Sequence, residues 1–126
     1  MRKAKILIVE DEDGIRRLVK AALEPDYEVH EAADGVEGVN QARWIKPHLI
    51  LLDLHLPELD GFGVLAKLKA HQETNTIPVV IVSVEGDTDA LLACQRAGAT
   101  DHLIKPFHIE DLRKVIQRHL AVREGS

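Results

Sequence analysis

The sequence predicts an α/β fold in which five parallel strands are covered by helices on both faces. Two observations carry this. Short apolar runs alternate strictly with segments of helical apolar spacing, and the central run Leu49-Ile50-Leu51-Leu52 is continuously apolar. Strict alternation builds βαβ units, whose right-handed crossovers make the strands parallel. A continuous apolar run suits a strand buried on both faces. The 126 residues suffice for one domain with a real core.

The elements follow in order. Lys5-Ile6-Leu7-Ile8-Val9 reads as a first strand, and Asp13 as N-cap of a helix striped by Ile15, Leu18, Val19, Ala22 and Leu23. Pro25-Asp26 ends that helix, and Tyr27 to Ala32 alternates as a second strand. Asp34-Gly35 opens a second helix with Val36, Val39 and Ala42 on its inner face, ending before Pro47. Leu49 to Asp53 is the third strand, and Phe62 to Ala70 the third helix. Val79-Val80-Ile81-Val82-Ser83 is the fourth strand. Asp87 is placed to cap a fourth helix in which Leu91, Cys94 and Ala97 share a face. His102-Leu103-Ile104 is a short fifth strand, and Leu112, Val115, Ile116 and Leu120 stripe a last helix. No linker or repeat interrupts the pattern, so one domain is expected over residues 1–126, with a core of about 4–121. The tail Val122-Arg123-Glu124-Gly125-Ser126 reads equally as an end or as the start of a linker.

Composition narrows the function classes. A net charge of -5, from 21 acidic and 16 basic residues, gives no basic stripe for direct nucleic-acid binding. Apolar runs fall far short of membrane-spanning length, and no signal-peptide core follows Met1. Cys94 is the single cysteine, which excludes an internal disulfide and reads as a packed thiol. The expected compartment is the cytoplasm. The seven histidines show no metal-ligand spacing.

Five strands of this kind favour the flavodoxin-like order 2-1-3-4-5, with ligands at the carboxyl ends of the strands. That order makes the first and third strands neighbours, so Glu10, Asp11 and Asp53 approach one another, while Ser83 and Lys105 arrive at the same edge. Three carboxylates in one cleft repel and call for a cation. Mg²⁺ suits them, because it takes carboxylates, keeps waters and accepts phosphate oxygens. The expected ligands are Asp11, Asp53 and the backbone carbonyl of His55, with Glu10 acting mostly through water. Asp53 can also serve as a nucleophile that forms an aspartyl phosphate, with Lys105 and Ser83 facing the phosphoryl oxygens. Each group has a structural alternative. The early acids favour a helix N-terminus, Asp53 can cap a turn, Ser83 can be a strand-end hydroxyl, and Lys105-Pro106 can be a solvated turn. Together, at four strand ends, they point to one site.

These residues also carry a family resemblance along almost the whole chain. The blocks Ile6-Leu7-Ile8-Val9-Glu10-Asp11-Glu12, Leu51 to Phe62, Val82-Ser83, Ala97 to Asp101 and Lys105-Pro106-Phe107 resemble the receiver domain of two-component response regulators. The resemblance implies Asp53 as phosphoacceptor, Glu10 and Asp11 as metal-binding acids, Ser83 as switch hydroxyl and Lys105 as phosphoryl contact. It implies a sensor histidine kinase or histidine phosphotransfer protein as donor. Downstream partners, or a second copy, would dock on the fourth helix, fifth strand and fifth helix. Three positions depart from the commonest pattern. Glu10 replaces Asp. Val84 replaces a small residue and is expected to restrict access, with His55 and Glu85 modulating how water approaches. His102 stands where the family has a Tyr or Phe switch ring, and reads either as that ring or as a solvated strand histidine.

The resulting expectation is a signalling switch that catalyses its own phosphorylation, not a metabolic enzyme. Three rivals compete with it. A haloacid-dehalogenase-like phosphatase would carry an Asp where His55 stands. A flavodoxin would need aromatic residues and a phosphate-cradling loop, and aromatic content is only 3%. A receiver-like module acting without phosphorylation is opposed by the complete acid, hydroxyl and lysine set.

Overall fold

The computed structural model describes the backbone of residues 2–124 and the side chains of residues 2–120. Its elements run β1 (Lys5–Val9), α1 (Asp13–Leu23), β2 (Glu28–Ala32), α2 (Gly35–Ile45), β3 (Leu49–Asp53), α3 (Gly61–Ala70), β4 (Val79–Val84), α4 (Thr88–Arg96), β5 (Asp101–Lys105) and α5 (Ile109–Glu124). The strands form one parallel sheet in the order β2-β1-β3-β4-β5. This is the predicted α/β architecture. The backbone is helical as far as Glu124; residues 125–126 and the side chains of the tail lie outside the described residues.

Alternate residues of the central strands feed two cores, which explains the unbroken apolar runs. Leu7, Val9, Ile50, Leu52, Val79 and Ile81 pack beneath α2, α3 and α4. Ile6, Ile8, Leu49, Leu51 and Val80 pack beneath α1 and α5, against Val19, Leu23, Leu112 and Ile116. Period-two alternation in a doubly covered sheet leaves no face for water.

Several local expectations are corrected. Asp13 is the first residue of α1, not its cap; Glu12 holds the cap position without a side-chain bond, and the Asp13 carboxylate pairs with Arg16 one turn on. Leu18 is exposed, because the inward stripe of α1 runs through Ile15, Val19 and Leu23 at four-residue spacing. The second strand starts at Glu28, since the Tyr27 amide donates back to the Leu23 carbonyl and closes the turn after α1. Val36 is exposed as well. The inner face of α2 is Gly35, Gly38, Val39 and Ala42, and a Cβ on Gly38 would come within 2.9 Å of Val9. Glycines that admit a close approach carry no hydrophobicity, so an apolar pattern passes over them. The strands β4 and β5 each run beyond their predicted ends, to Val84 and over Asp101–Lys105.

Candidate functional site

Strand register brings the polar groups together at the carboxyl edge. Val9 lies beside Leu52, Asp53 beside Val82, and Val84 beside Lys105. Residues just past β1 therefore meet the last residues of β3, β4 and β5. Behind Asp53 the chain turns so tightly that a Cβ on Gly61 would lie 2.5 Å from the Asp53 carbonyl, and the Gly61 amide donates to the Leu54 carbonyl. A side chain there would push α3 off the strand end. Asp60 caps α3 through the Gly63 amide at 2.9 Å.

Glu10, Asp11 and Asp53 offer carboxylate oxygens within 4.8 Å of one another. Glu10 and Asp53 are buried and Asp11 is exposed. Lys105 reaches between the buried pair, with Nζ 2.8 Å from Glu10 Oε1 and 3.4 Å from Asp53 Oδ2. The lysine ammonium is thus one cation that the acid cluster calls for, supplied by the chain itself. Burial, reinforced by the neighbouring Asp53, holds the Glu10 carboxyl above its ordinary range, although the Lys105 bond pulls the other way. Burial disfavours the Lys105 ammonium, but the Glu10 bond and the charges of Asp53 and Glu10 outweigh it and raise the amine. Even so, Lys105 bonds only the two buried members of a three-acid group, and the all-oxygen donor set with an exposed member fits a hard divalent cation such as Mg²⁺.

Among the described residues, Ser83 Oγ is a fully buried side-chain oxygen without a hydrogen-bond partner. Such an atom costs stability unless a ligand or a rearrangement satisfies it. Val84 and Glu85 follow it in exposed positions, with Val84 42% exposed at the rim. His55 is exposed, and its amide donates to Asp53 Oδ1 at 3.1 Å. His102 is not at this edge. It lies on β5 opposite Ile81, exposed, lining a groove between α4 and β5 with Leu91, Cys94 and Thr100.

Two functional neighbours escape sequence reasoning. Arg16 donates to the Glu10 carbonyl at 2.7 Å and pairs with Glu31, pinning the loop that carries the acid pair to β2. Asp87 holds the N-cap position of α4 but makes no side-chain cap bond. Its carboxylate instead accepts from the Val84 amide at 2.9 Å and bonds His55 Nε2 at 2.8 Å. Those two contacts, the Val84 amide first, hold its carboxyl below the usual range. A helix-start Asp signals a cap from sequence, and only the loop path reveals the other use.

Comparison with known proteins agrees with this geometry. The family model described as the response regulator receiver domain matches residues 6–117. The transcriptional regulatory protein SrrA of Staphylococcus aureus is 42% identical over 104 residues, covering 82% of this chain and 42% of SrrA. The regulatory protein AtoC of Escherichia coli is 34% identical over 120 residues, covering 94% of this chain and 26% of AtoC. The chain therefore spans under half the length of these curated relatives. The receiver domain of the sensor histidine kinase PA1611 of Pseudomonas aeruginosa was solved with a magnesium ion coordinated in its active-site cleft. It superposes with a TM-score of 0.86 at 30% identity, covering 94% of this chain and 98% of that one.

Proposed function

This chain belongs to the response regulator receiver domain family, and on that premise we propose that Asp53 accepts a phosphoryl group in a magnesium-dependent transfer from a histidine kinase or histidine phosphotransfer protein. The supporting observation is the convergence of Lys105 on a buried acid pair from two neighbouring strand ends, beside the unpartnered Ser83 hydroxyl. The proposed unit is a single receiver domain over residues 1–126 with a core of about 4–121, working in the cytoplasm. No helix among the described residues is long and apolar enough to cross a membrane.

An Asp53 carboxylate oxygen attacks the phosphorus of a phosphohistidine. The new P–O bond forms as the P–N bond breaks, and the electron pair leaves with the imidazole. A carboxylate needs no base to activate it. Lys105, within 3.4 Å of Asp53 Oδ2, is placed to bond a phosphoryl oxygen. The Ser83 hydroxyl donates to another, which gives that buried group the partner it lacks. Asp11, Asp53 and the His55 backbone carbonyl would hold Mg²⁺, with Glu10 acting through water, and the ion would supply positive charge to the phosphoryl group. Movement of Ser83 then biases the surface of α4, β5 and α5, where His102 lines the groove that a downstream partner or second copy would meet. Val84, exposed at the rim with His55 and Glu85, tunes the access of donor and water. The protein is a signalling switch in this account, and its self-phosphorylation is the only chemistry it needs.

Incubation with acetyl phosphate and Mg²⁺ tests the proposal by intact mass. Wild type gains one phosphoryl group and Asp53→Asn gains none. Equal gain in both overturns the assignment.

A further inference from the structure

The exposed rim of the site carries a contact that the phosphotransfer chemistry does not use. His55, two residues past the phosphoacceptor, presents Nε2 to Asp87 Oδ2 at 2.8 Å, across the gap between the β3–α3 and β4–α4 loops. The same Oδ2 accepts the Val84 amide at 2.9 Å. One oxygen therefore ties the loop after Asp53 to the residue after Ser83. At its other end the His55 amide holds Asp53 Oδ1 at 3.1 Å. An unbroken path of hydrogen bonds and one residue's own covalent frame runs from the phosphoacceptor carboxylate to the switch segment.

The Asp87 carboxylate is turned to the loops and not to the start of α4. The Asp87 carbonyl accepts the Leu91 amide at 2.8 Å as the first bond of the helix, and the side chain makes no cap bond to the first-turn amides. Ser83, by contrast, is held with its hydroxyl buried and unpartnered. The Ser83 hydroxyl is the proposed donor to a phosphoryl group on Asp53, and the N–H of the Ser83–Val84 peptide that carries it is the group Asp87 holds. We propose that the His55–Asp87 bridge is a strap that restrains the Ser83–Val84 segment in the unphosphorylated arrangement, with Asp87 as a positioning residue. The proposal rests on the phosphoacceptor reading of Asp53 and adds a brake to it. A carboxylate that both a ring N–H and a backbone amide satisfy is a stronger tether than either bond alone.

A double-mutant cycle on the full chain decides it. Phosphorylation by acetyl phosphate with Mg²⁺ is followed by intact mass in wild type, His55→Ala, Asp87→Ala and the double variant. His55→Ala, which loses one bond, is expected to react roughly threefold faster, and Asp87→Ala, which loses both, faster still. The double variant should be no faster than Asp87→Ala, since that substitution alone already removes both bonds of the strap. Amide hydrogen exchange at Val84 supplies a second readout, faster in Asp87→Ala and close to wild type in Asp87→Asn, which keeps an acceptor. Unchanged or slower single variants, or a double effect equal to the product of the singles, overturns the strap. A wild type that takes no phosphoryl group overturns the phosphoacceptor reading as well, and Val84 exchange then reports on the contact by itself.

Discussion

The two ends of the sheet handle polar groups in opposite ways. At the amino end, polar side chains are paired into structural contacts. Asp101, at the start of β5, accepts from the His102 amide at 2.8 Å, bonds His119 Nε2 at 2.9 Å and pairs with Arg118 at 3.0 Å. The Lys5 amide donates to His48 Nδ1 at 2.8 Å, and the Thr100 hydroxyl accepts from the Val79 amide at 3.1 Å. At the carboxyl end, two buried acids share one lysine, and a buried hydroxyl has no partner. The titration of two carboxylates expresses the difference. Burial works against ionised Asp101, but its His119 and His102 bonds prevail and hold it below the ordinary range. Burial prevails at Glu10 and raises it. One end pairs its polar groups with one another, and the other leaves a buried hydroxyl without a partner beside two acids that share a single cation.

The largest expected effect lies at the carboxyl end. Lys105→Met removes the cation that faces both buried acids. It should slow phosphorylation by about a hundredfold, the usual consequence of deleting one donor to a developing oxyanion. Initial rates from acetyl phosphate check it, and a rate within about threefold of wild type would remove Lys105 from the phosphoryl-binding set.

Next in size is the amino end. Asp101→Asn should cost about 1–2 kcal/mol in urea unfolding at neutral pH, mostly from the His119 and backbone contacts, because Arg118 is exposed. A depressed carboxyl contributes stability above the ordinary carboxylate range and loses it as pH falls through the folded value. The gap between wild type and Asp101→Asn should therefore close on acidification, while the phosphorylation rate stays at wild type. A gap that widens in acid contradicts the assigned sign.

The smallest effect has the opposite sense. A raised carboxyl contributes stability below the ordinary range and loses it as pH rises through the folded value, so ionised Glu10 weakens the fold at neutral pH. With a chelator present, Glu10→Gln should unfold at a higher temperature than wild type at pH 7, and the advantage should vanish in acid. Calorimetry at two pH values checks it. A lower midpoint at pH 7 would mean that the Lys105 bond outweighs the burial of Glu10.

The same contrast explains what was legible in sequence. Asp53, Glu10, Asp11, Ser83 and Lys105 were all readable, because each follows an apolar run and parallel topology carries every strand end to one edge. The inward α2 face was not, since Gly35 and Gly38 bury backbone without adding hydrophobicity. Nor was the direct Glu10–Lys105 bond, which depends on the reach of two long side chains from β1 and β5 across the ends of β3 and β4. The Asp87 bridge to His55 spans 32 residues through two loops, and a helix-start Asp has a simpler local reading as a cap.

Phosphorylation is expected at Asp53 and at neither of its acidic neighbours, Glu10 and Asp11. Chemical trapping of the acyl phosphate by borohydride reduction, followed by peptide mapping, reads this directly after acetyl phosphate treatment with and without Mg²⁺. Reduction product is expected at Asp53 alone, and only when Mg²⁺ is present. Product at Glu10 or Asp11, or equal product at Asp53 in chelator, would contradict it.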